Sequence, residues 1–372
     1  MIIAVHISLS DTQSDPSKNF NYRCCTILAE KHPGHHFVFI FDNPFNPLPV
    51  TRKNITPVLL SLKIKNRLFN HYWYHFKIAS LLKKYHADLF ICDAINCSIR
   101  TTVKQCLVLQ DLSFLQKENL FARDDSSYLK RHFKNFVSKA AYIAVTNQAT
   151  AVALATYSPE ATKKIHIIGY GLQNVVENIG QHEMQNTRDT YSEGKEYFLC
   201  YITDTSISNT ITLLKAFSAF KKRQLSNMQL ILVSTSAQKE NPVRDFETYK
   251  YRHEVKVIRA ENDELLTKIT AAAYAAIYLP SMEVMEDKGL LALKNNIPLI
   301  TASNEFCKSL YNDAALYAKI EEKNIAEKMM LVYKNENLRN DLVTIGKLVG
   351  SIYSWDNTAA NLWQVLQDTA EQ

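Results

Sequence analysis

Residues 278–300 read YLPSMEVMEDKGLLALKNNIPLI, and this stretch decides how the chain is organised. An apolar run ends at Pro280 and Ser281, an acidic loop follows, and an apolar helix is predicted from Gly289. Ile297–Ile300 then begins another apolar run of the strand type. Open α/β sheets bind ligands in loops at the carboxyl ends of their strands. The stretch therefore predicts a parallel sheet with a ligand-binding edge.

Alternating strand and helix patterns extend this prediction to the whole chain. His36–Phe41 reads HFVFIF, an uninterrupted apolar run typical of a buried parallel strand. Thr56–Tyr85 has a helical pattern, whereas residues 176–196 are polar and without periodicity. Strands that alternate with helices at this spacing are typical of a doubly wound α/β fold. We predict two Rossmann-like domains with parallel sheets, residues 1–175 and 197–354, joined by a linker at 176–196.

The composition is that of a globular protein with reduced cysteines. Of the 372 residues, 47% are hydrophobic and 22% are charged, which is ordinary usage. The seven cysteines are odd in number and lack Cys-x-x-Cys spacing, which predicts buried free thiols and a cytoplasmic location, without a disulfide frame or zinc site. His71 and His75 are one helical turn apart, but their aromatic surroundings favour packing over metal binding. We expect neither a signal peptide nor a membrane-spanning segment.

Charge is distributed unevenly along the chain. Residues 1–150 carry a net charge of +9 and the remainder −3. Ser61–His86 combines basic and aromatic residues, a composition typical of helices that lie on a membrane surface. The alternative is a core helix with a solvated basic face. The basic half predicts an acidic partner or a peripheral contact with the inner face of a membrane, and a solvated basic surface without a partner is the alternative.

The pattern of residues 278–300 resembles the donor-sugar loop of retaining, family-4-type glycosyltransferases, which have the GT-B fold. LQDLSFLQKEN at Leu109–Asn119 and YSWDNTAANLW at Tyr353–Trp363 are similar to further landmarks of that family. The resemblance implies transfer of a sugar from a nucleotide sugar to a glycan or lipid-linked acceptor, with retention and without a cofactor. It also implies that a final helix, residues 355–372, crosses back to complete the first, acceptor-side domain. Residues 197–354 would then bind the donor.

The resemblance assigns roles to particular residues. Glu283 aligns with the glutamate that contacts the donor sugar, and Leu291 replaces a second glutamate that binds the ribose. Gln110, before Asp111, stands where the family has a catalytic histidine. Glutamine can form hydrogen bonds but cannot take up a proton. Asp111 could instead cap the turn that follows.

The residues expected to bind the donor's phosphates are altered as well. Ser208 occupies the position of a phosphate-binding lysine and is followed by Asn209. Capping of a helix start by Ser208 or Asn209 is the alternative interpretation. Lys288, beside Gly289, could supply a replacement phosphate contact near a helix N-terminus.

Two hypotheses follow from these observations. The first is an active glycosyltransferase. The second is a catalytically inactive relative that serves as partner or scaffold of an active transferase, because several site residues of the family are replaced together.

Overall fold

The chain forms two compact units, which are described separately. One comprises Met1–Gly171 with Ser354–Gln372, and the other Leu172–Tyr353. The computed structural model describes residues 1–8, 19–43, 52–60, 67–93, 97–115, 123–172, 179–203, 206–234, 248–281 and 288–371.

Strands and helices alternate along the first unit. Its elements before residue 172 are β1 (Ile2–Ile7), α1 (Phe20–Lys31), β2 (His36–Phe41), β3 (Ile55–Leu59), α2 (Arg67–Lys84), β4 (Leu89–Asp93), β5 (Lys104–Leu109), α3 (Arg123–Lys139), β6 (Tyr142–Val145), α4 (Gln148–Tyr157) and β7 (Ile165–Ile167).

The same alternation runs through the second unit, and the final helix returns to the first. These elements are α5 (Gln181–Ser192), β8 (Tyr197–Ile202), α6 (Thr210–Gln224), β9 (Gln229–Ser234), β10 (Val255–Arg259), α7 (Asp263–Ala271), β11 (Ala275–Tyr278), α8 (Lys288–Lys294), β12 (Leu299–Ala302), α9 (Glu305–Tyr311), β13 (Ala315–Ala318), α10 (Glu322–Lys334), α11 (Glu336–Ile352) and α12 (Trp355–Glu371).

Each unit is built on a parallel sheet. The first sheet has seven strands in the order β3-β2-β1-β4-β5-β6-β7, and the second has six in the order β10-β9-β8-β11-β12-β13. All pairings between neighbouring strands are parallel. The strand order reverses beside β1 in one sheet and beside β8 in the other. This topology confirms the predicted pair of doubly wound domains.

Helices cover both faces of the first sheet, which explains its uninterrupted apolar strands. One face packs against α1 and α12 through residues such as Leu28 and Leu362. The other face packs against α2 and α3 through residues such as Ile78 and Phe133. The C-terminal helix therefore belongs to the first unit, as the resemblance implied.

Two sequence predictions require correction. Thr56–Leu59 was included in a predicted helix but belongs to strand β3, at the edge of its sheet. Pro57 cannot donate a hydrogen bond inside a helix but is tolerated in an edge strand. The predicted linker contains helix α5, whose exposed residues lack an apolar stripe. The Nε–H of Arg188 holds this helix in the second unit by donating to the Ala272 carbonyl at 2.9 Å.

The thiols agree with the sequence prediction. All seven cysteines are buried thiols, and none is part of a disulfide. Burial raises the pKa of Cys106 and of Cys200 to about 12, which keeps both groups protonated. Within the described part of the chain, no helix combines the length and apolarity needed to cross a bilayer.

Candidate functional site

In the second unit, Ser206 forms hydrogen bonds back to the end of β8 and the residue that follows it. Ser206 is buried, and its Oγ accepts the Thr203 N–H at 2.8 Å. The same oxygen donates to the Tyr201 carbonyl at 2.9 Å. A single 3₁₀ turn, Ile207–Asn209, then leads into α6. Ser206 was not singled out from the sequence, although a small hydroxyl residue after a buried strand is a recognisable turn signal.

Asn209 lies at the N-cap of α6 but does not cap it. Its Nδ2 donates instead to the carbonyl of Leu279, at the end of β11, over 2.8 Å. The other asparagine N-caps do accept the N–H three residues ahead, namely Asn19, Asn147, Asn262, Asn304 and Asn335. The capping interpretation of Asn209 is therefore wrong. Asn209 connects the start of α6 to the strand that leads into the acidic loop.

The backbone donors around the start of α6 are mostly occupied. The N–H groups of Ser206 and Ile207 both donate to the Thr203 carbonyl, at 3.1 and 2.9 Å. Asn209 and Thr210 donate to the carbonyls of Ser206 and Ile207. Thr210 Oγ1 is buried and has no hydrogen-bond partner among the described residues. This hydroxyl is therefore a buried polar group at the helix start, without a hydrogen-bond partner in the described part of the chain.

Positive charge is scarce at this helix start. Residues 197–214 contain no lysine, arginine or histidine, and the next cation is Lys215. Ser208, in the position of the expected lysine, is exposed. A phosphate group at this helix would therefore interact with backbone and hydroxyl dipoles unless a cation from elsewhere reached it.

The segment after β11 is described only at its two ends. Pro280 is buried and Ser281 is exposed, and residues 282–287, including Glu283, lie outside the described residues. Lys288 begins α8 and is half-buried. Gly289 is buried, and a Cβ there would lie 2.3 Å from Tyr311 Oη. Glycine is therefore required at position 289 because the ring of Tyr311 packs closely against it.

In the first unit, Gln110 follows β5 at the carboxyl edge of the sheet. Its side chain is exposed, whereas its carbonyl accepts three hydrogen bonds. The donors are Thr146 Oγ1 at 2.7 Å, Thr150 Oγ1 at 3.3 Å and Asn147 Nδ2 at 3.4 Å. These bonds fix the backbone of Gln110 to the start of α4 and leave its amide facing solvent.

Asp111 has the capping role considered from the sequence. Its Oδ1 accepts the Ser113 N–H at 2.9 Å, at the start of a 3₁₀ turn. The carboxylate is half-buried. The structure thus explains Asp111 by local geometry, as expected for aspartate after a strand.

Other polar residues, not identified from the sequence, lie near the same edge. Ser8, directly after β1, donates through Oγ to Asp42 Oδ2 at 2.9 Å. Asn19 Nδ2 donates to the Ser8 carbonyl at 2.9 Å, while its Oδ1 caps α1. Asp42 follows β2, and Asp93 ends β4. Carboxylates of this kind accept hydrogen bonds from hydroxyl groups. These residues could have been recognised in the sequence, because they are polar residues at or directly after the ends of buried strands.

Metal binding finds no support among the described side chains. They include no cluster of three or more potential metal ligands. His75 is buried with its ring centroid 6.1 Å from that of Phe136. This contact agrees with the packing interpretation of His75.

Comparison with solved structures identifies the fold. Sucrose-phosphate synthase from Thermosynechococcus elongatus matches with a TM-score of 0.74 at 14% identity, covering 99% of this chain and 98% of that chain. HepE from Anabaena, in complex with UDP, matches with a TM-score of 0.72 at 13% identity, covering 99% and 100%. No protein-family model and no curated protein matches the chain.

The similar structures are not limited to transferases. A protein assigned as a UDP-N-acetylglucosamine 2-epimerase from Listeria monocytogenes matches with a TM-score of 0.66 at 8% identity, covering 100% of this chain and 96% of that chain. The chain therefore has the GT-B fold, as the sequence predicted. At these identities the similarity defines the fold alone, and the activity has to be argued from the site.

Proposed function

We propose that this protein is a retaining glycosyltransferase that transfers a sugar from a nucleotide sugar to a glycan or lipid-linked acceptor. The observation that carries the proposal is similarity over nearly the whole chain to GT-B proteins, including a UDP-bound one. The hydrogen bond between Asn209 and Leu279 adds support, because it joins the start of α6 to the end of β11 beside the reversal point of a sheet, where such folds bind ligands.

The proposed roles follow from the charge that develops during the reaction. Departure of a nucleoside diphosphate places negative charge on phosphate oxygens, which positioned donors must stabilise. At the start of α6, the helix dipole and the exposed Ser208 are the groups suited to that task. Lys288 is the proposed cation. Glu283 would orient the donor sugar, and the exposed amide of Gln110 would hydrogen-bond a reacting hydroxyl.

No metal or other cofactor is part of the proposed reaction. Protein groups alone would stabilise the leaving diphosphate. Turnover should therefore be unchanged after dialysis against EDTA, and loss of activity that Mg²⁺ or Mn²⁺ restores would contradict this part of the proposal.

A non-catalytic role is the second candidate, and a specific observation favours it. The N–H groups of four residues around the start of α6 already donate to carbonyls, and residues 197–214 hold no cation. A missing charge-assisted contact to phosphate weakens binding by about 1.5–3 kcal/mol. Such a protein would bind nucleotide sugars weakly and act as partner or scaffold of an active transferase.

Isothermal titration calorimetry against nucleoside diphosphates and their sugars separates the two candidates. Micromolar binding of one nucleotide sugar, followed by its turnover with an acceptor, is the result expected of a transferase. Absence of binding across the panel would overturn the transferase proposal and favour the non-catalytic one.

Glu283 provides a second test. Glu283→Gln should lower turnover strongly while leaving the unfolding temperature unchanged. Glu286→Gln, in the same acidic loop, is the matched control and should retain turnover. Equal effects of the two substitutions would contradict the role proposed for Glu283.

We further propose a cytoplasmic location with peripheral contact to the inner face of a membrane. The excess positive charge of residues 1–150 supports this location, because that leaflet carries anionic lipids.

A further inference from the structure

Two segments of the first unit contain positive charges and no negative ones. Residues 43–87 include eight lysines and arginines without a single aspartate or glutamate. Residues 126–159 include four, again without a carboxylate side chain. The first segment contains α2 and the second contains most of α3 and all of α4.

The tertiary structure brings α2 and α3 onto the same face of the sheet. Ile78 and Leu82 of α2 share one apolar core with Leu129, Phe133 and Phe136 of α3. These residues point inward, whereas the lysines and arginines described on both helices are exposed. The exposed cations on this side, which we call the basic face, are Lys77, Lys83, Lys84, Arg100, Lys130, Arg131, Lys134 and Lys139.

Apolar side chains are exposed within the basic face. Phe76 is 40% exposed and Ile99 is 42% exposed. The guanidinium of Arg100 lies 4.0 Å from the centroid of the Phe76 ring, so a cation and an aromatic ring are presented together. Cations combined with exposed aromatic and aliphatic side chains match the two contributions to interfacial binding, which are attraction to anionic headgroups and burial of apolar area.

The opposite face of the same sheet differs in charge. Helix α12 carries Asp356, Asp368 and Glu371 and no lysine or arginine, and α1 carries Arg23, Glu30 and Lys31. The helices on one face of the first unit therefore present a cluster of cations, whereas those on the opposite face carry a small negative net charge. Such asymmetry orients a molecule on a charged surface.

We propose that the basic face docks the protein onto an anionic lipid bilayer. Headgroup phosphates would contact the lysines and arginines of α2 and α3, while Phe76 and Ile99 would enter the interfacial region. An acidic protein or a nucleic acid could also bind the lysines and arginines of the basic face. Binding of either would not require the exposed apolar side chains Phe76 and Ile99, whereas binding to a bilayer would bury them. The inference rests on the membrane contact proposed above and assigns it to one face, and it is tested separately from the transferase activity because vesicle binding is measured without donor or acceptor.

Co-sedimentation of the full chain with vesicles tests this proposal. The protein should bind vesicles of phosphatidylcholine with phosphatidylglycerol, remain in solution with phosphatidylcholine alone, and be released by added salt. The triple substitution Lys130→Glu, Arg131→Glu and Lys134→Glu should weaken binding by about 100-fold or more. Since all three residues are exposed, circular dichroism should be unchanged.

A matched control carries the same charge change in the second unit. Lys323→Glu, Lys334→Glu and Lys347→Glu alter exposed lysines of α10 and α11 and should leave vesicle binding within about twofold of the parent if the basic face is the contact. Equal loss in both triple variants would overturn the proposal, since it would indicate a response to net charge alone. Absence of binding to anionic vesicles, or stronger competition by nucleic acid than by lipid, would also overturn it.

Phe76→Ser with Ile99→Ser tests the apolar contribution. This variant should bind anionic vesicles less tightly, and it should be released at lower salt than the parent. Unchanged binding and salt release would contradict insertion of these two side chains.

Discussion

Asn209 Nδ2 lies 2.8 Å from the carbonyl oxygen of Leu279, so the start of α6 is fixed to the end of β11. Asn209 therefore does not form the side-chain capping hydrogen bond that the other asparagine N-caps form. One side chain thus sets the distance between a helix start and the strand that leads to the acidic loop.

Substitution of Asn209 should loosen the end of β11. In Asn209→Ala, hydrogen exchange at the amides of Leu279 and Ser281 should accelerate, because the Leu279 carbonyl loses its anchor. Asn262→Ala is the matched control, since it removes an ordinary cap and costs about 1 kcal/mol without touching β11. Mass spectrometry would measure exchange in both variants. Identical exchange profiles would contradict the anchoring role.

Adding back the missing polar groups should strengthen nucleotide binding. Ser208→Lys places a cation at the start of α6, and Leu291→Glu restores a ribose acceptor on α8. Together they should improve affinity for a nucleoside diphosphate by about tenfold or more in calorimetry, because hydrogen bonds to charged groups contribute about 1.5–3 kcal/mol.

The control for this experiment uses the other end of the same helix. Gln224→Lys with Leu291→Glu gives the same net charge, but the new lysine lies roughly 20 Å from the helix start, at 1.5 Å per residue. If the control gains as much affinity as the test variant, the phosphates do not bind at the start of α6.

Gly289 should be needed for packing. A Cβ at this position would lie 2.3 Å from Tyr311 Oη and 2.5 Å from Cζ, and Tyr311 is buried. Gly289→Ala should therefore destabilise the protein by about 1–3 kcal/mol through overpacking. Gly34→Ala, where no atom lies within 4 Å of the new Cβ, should be nearly neutral. Denaturant unfolding would measure both, and partial rescue by Tyr311→Leu would confirm the cause.

Two histidines should make the stability of the first unit depend on pH. The His32 ring stacks on Trp363 of α12 with centroids 3.8 Å apart, and His35 meets the same indole edge-on at 4.9 Å. Desolvation lowers the pKa of His32, with contributions from His35 and Lys31. Desolvation also lowers the pKa of His35, together with the amino-terminal ammonium.

The sign of the effect follows from these shifts. Since the folded-state pKa values lie below 6.5, the unfolded chain binds more protons, and stability should fall as pH decreases through 6.5. Urea unfolding between about pH 5 and 7.5 would measure this dependence. His32→Phe with His35→Phe should reduce it while keeping aromatic contact with Trp363. A double variant with the parent's pH dependence would contradict the assignment.

Much of the fold followed from local sequence patterns. Uninterrupted apolar runs such as His36–Phe41 predicted buried parallel strands, because both faces of such a strand meet helices. The errors came where local signals were ambiguous. Thr56–Leu59 precedes a long helical pattern, and only pairing with β2 made it a strand. Helix α5 lacks an apolar stripe, and contacts such as that between Arg188 and Ala272 support it.

Some features of the candidate site could likewise be read from the sequence, whereas others required the tertiary structure. The absence of cations from residues 197–214, the identity of Ser208 and the charge of residues 43–87 are properties of the sequence itself. The hydrogen-bond partner of Asn209 and the contact between Gly289 and Tyr311 required the tertiary structure. These contacts join residues 70 and 22 positions apart. Local propensity identifies an asparagine that can cap a helix, but only the packed strands place a competing carbonyl within reach of its amide.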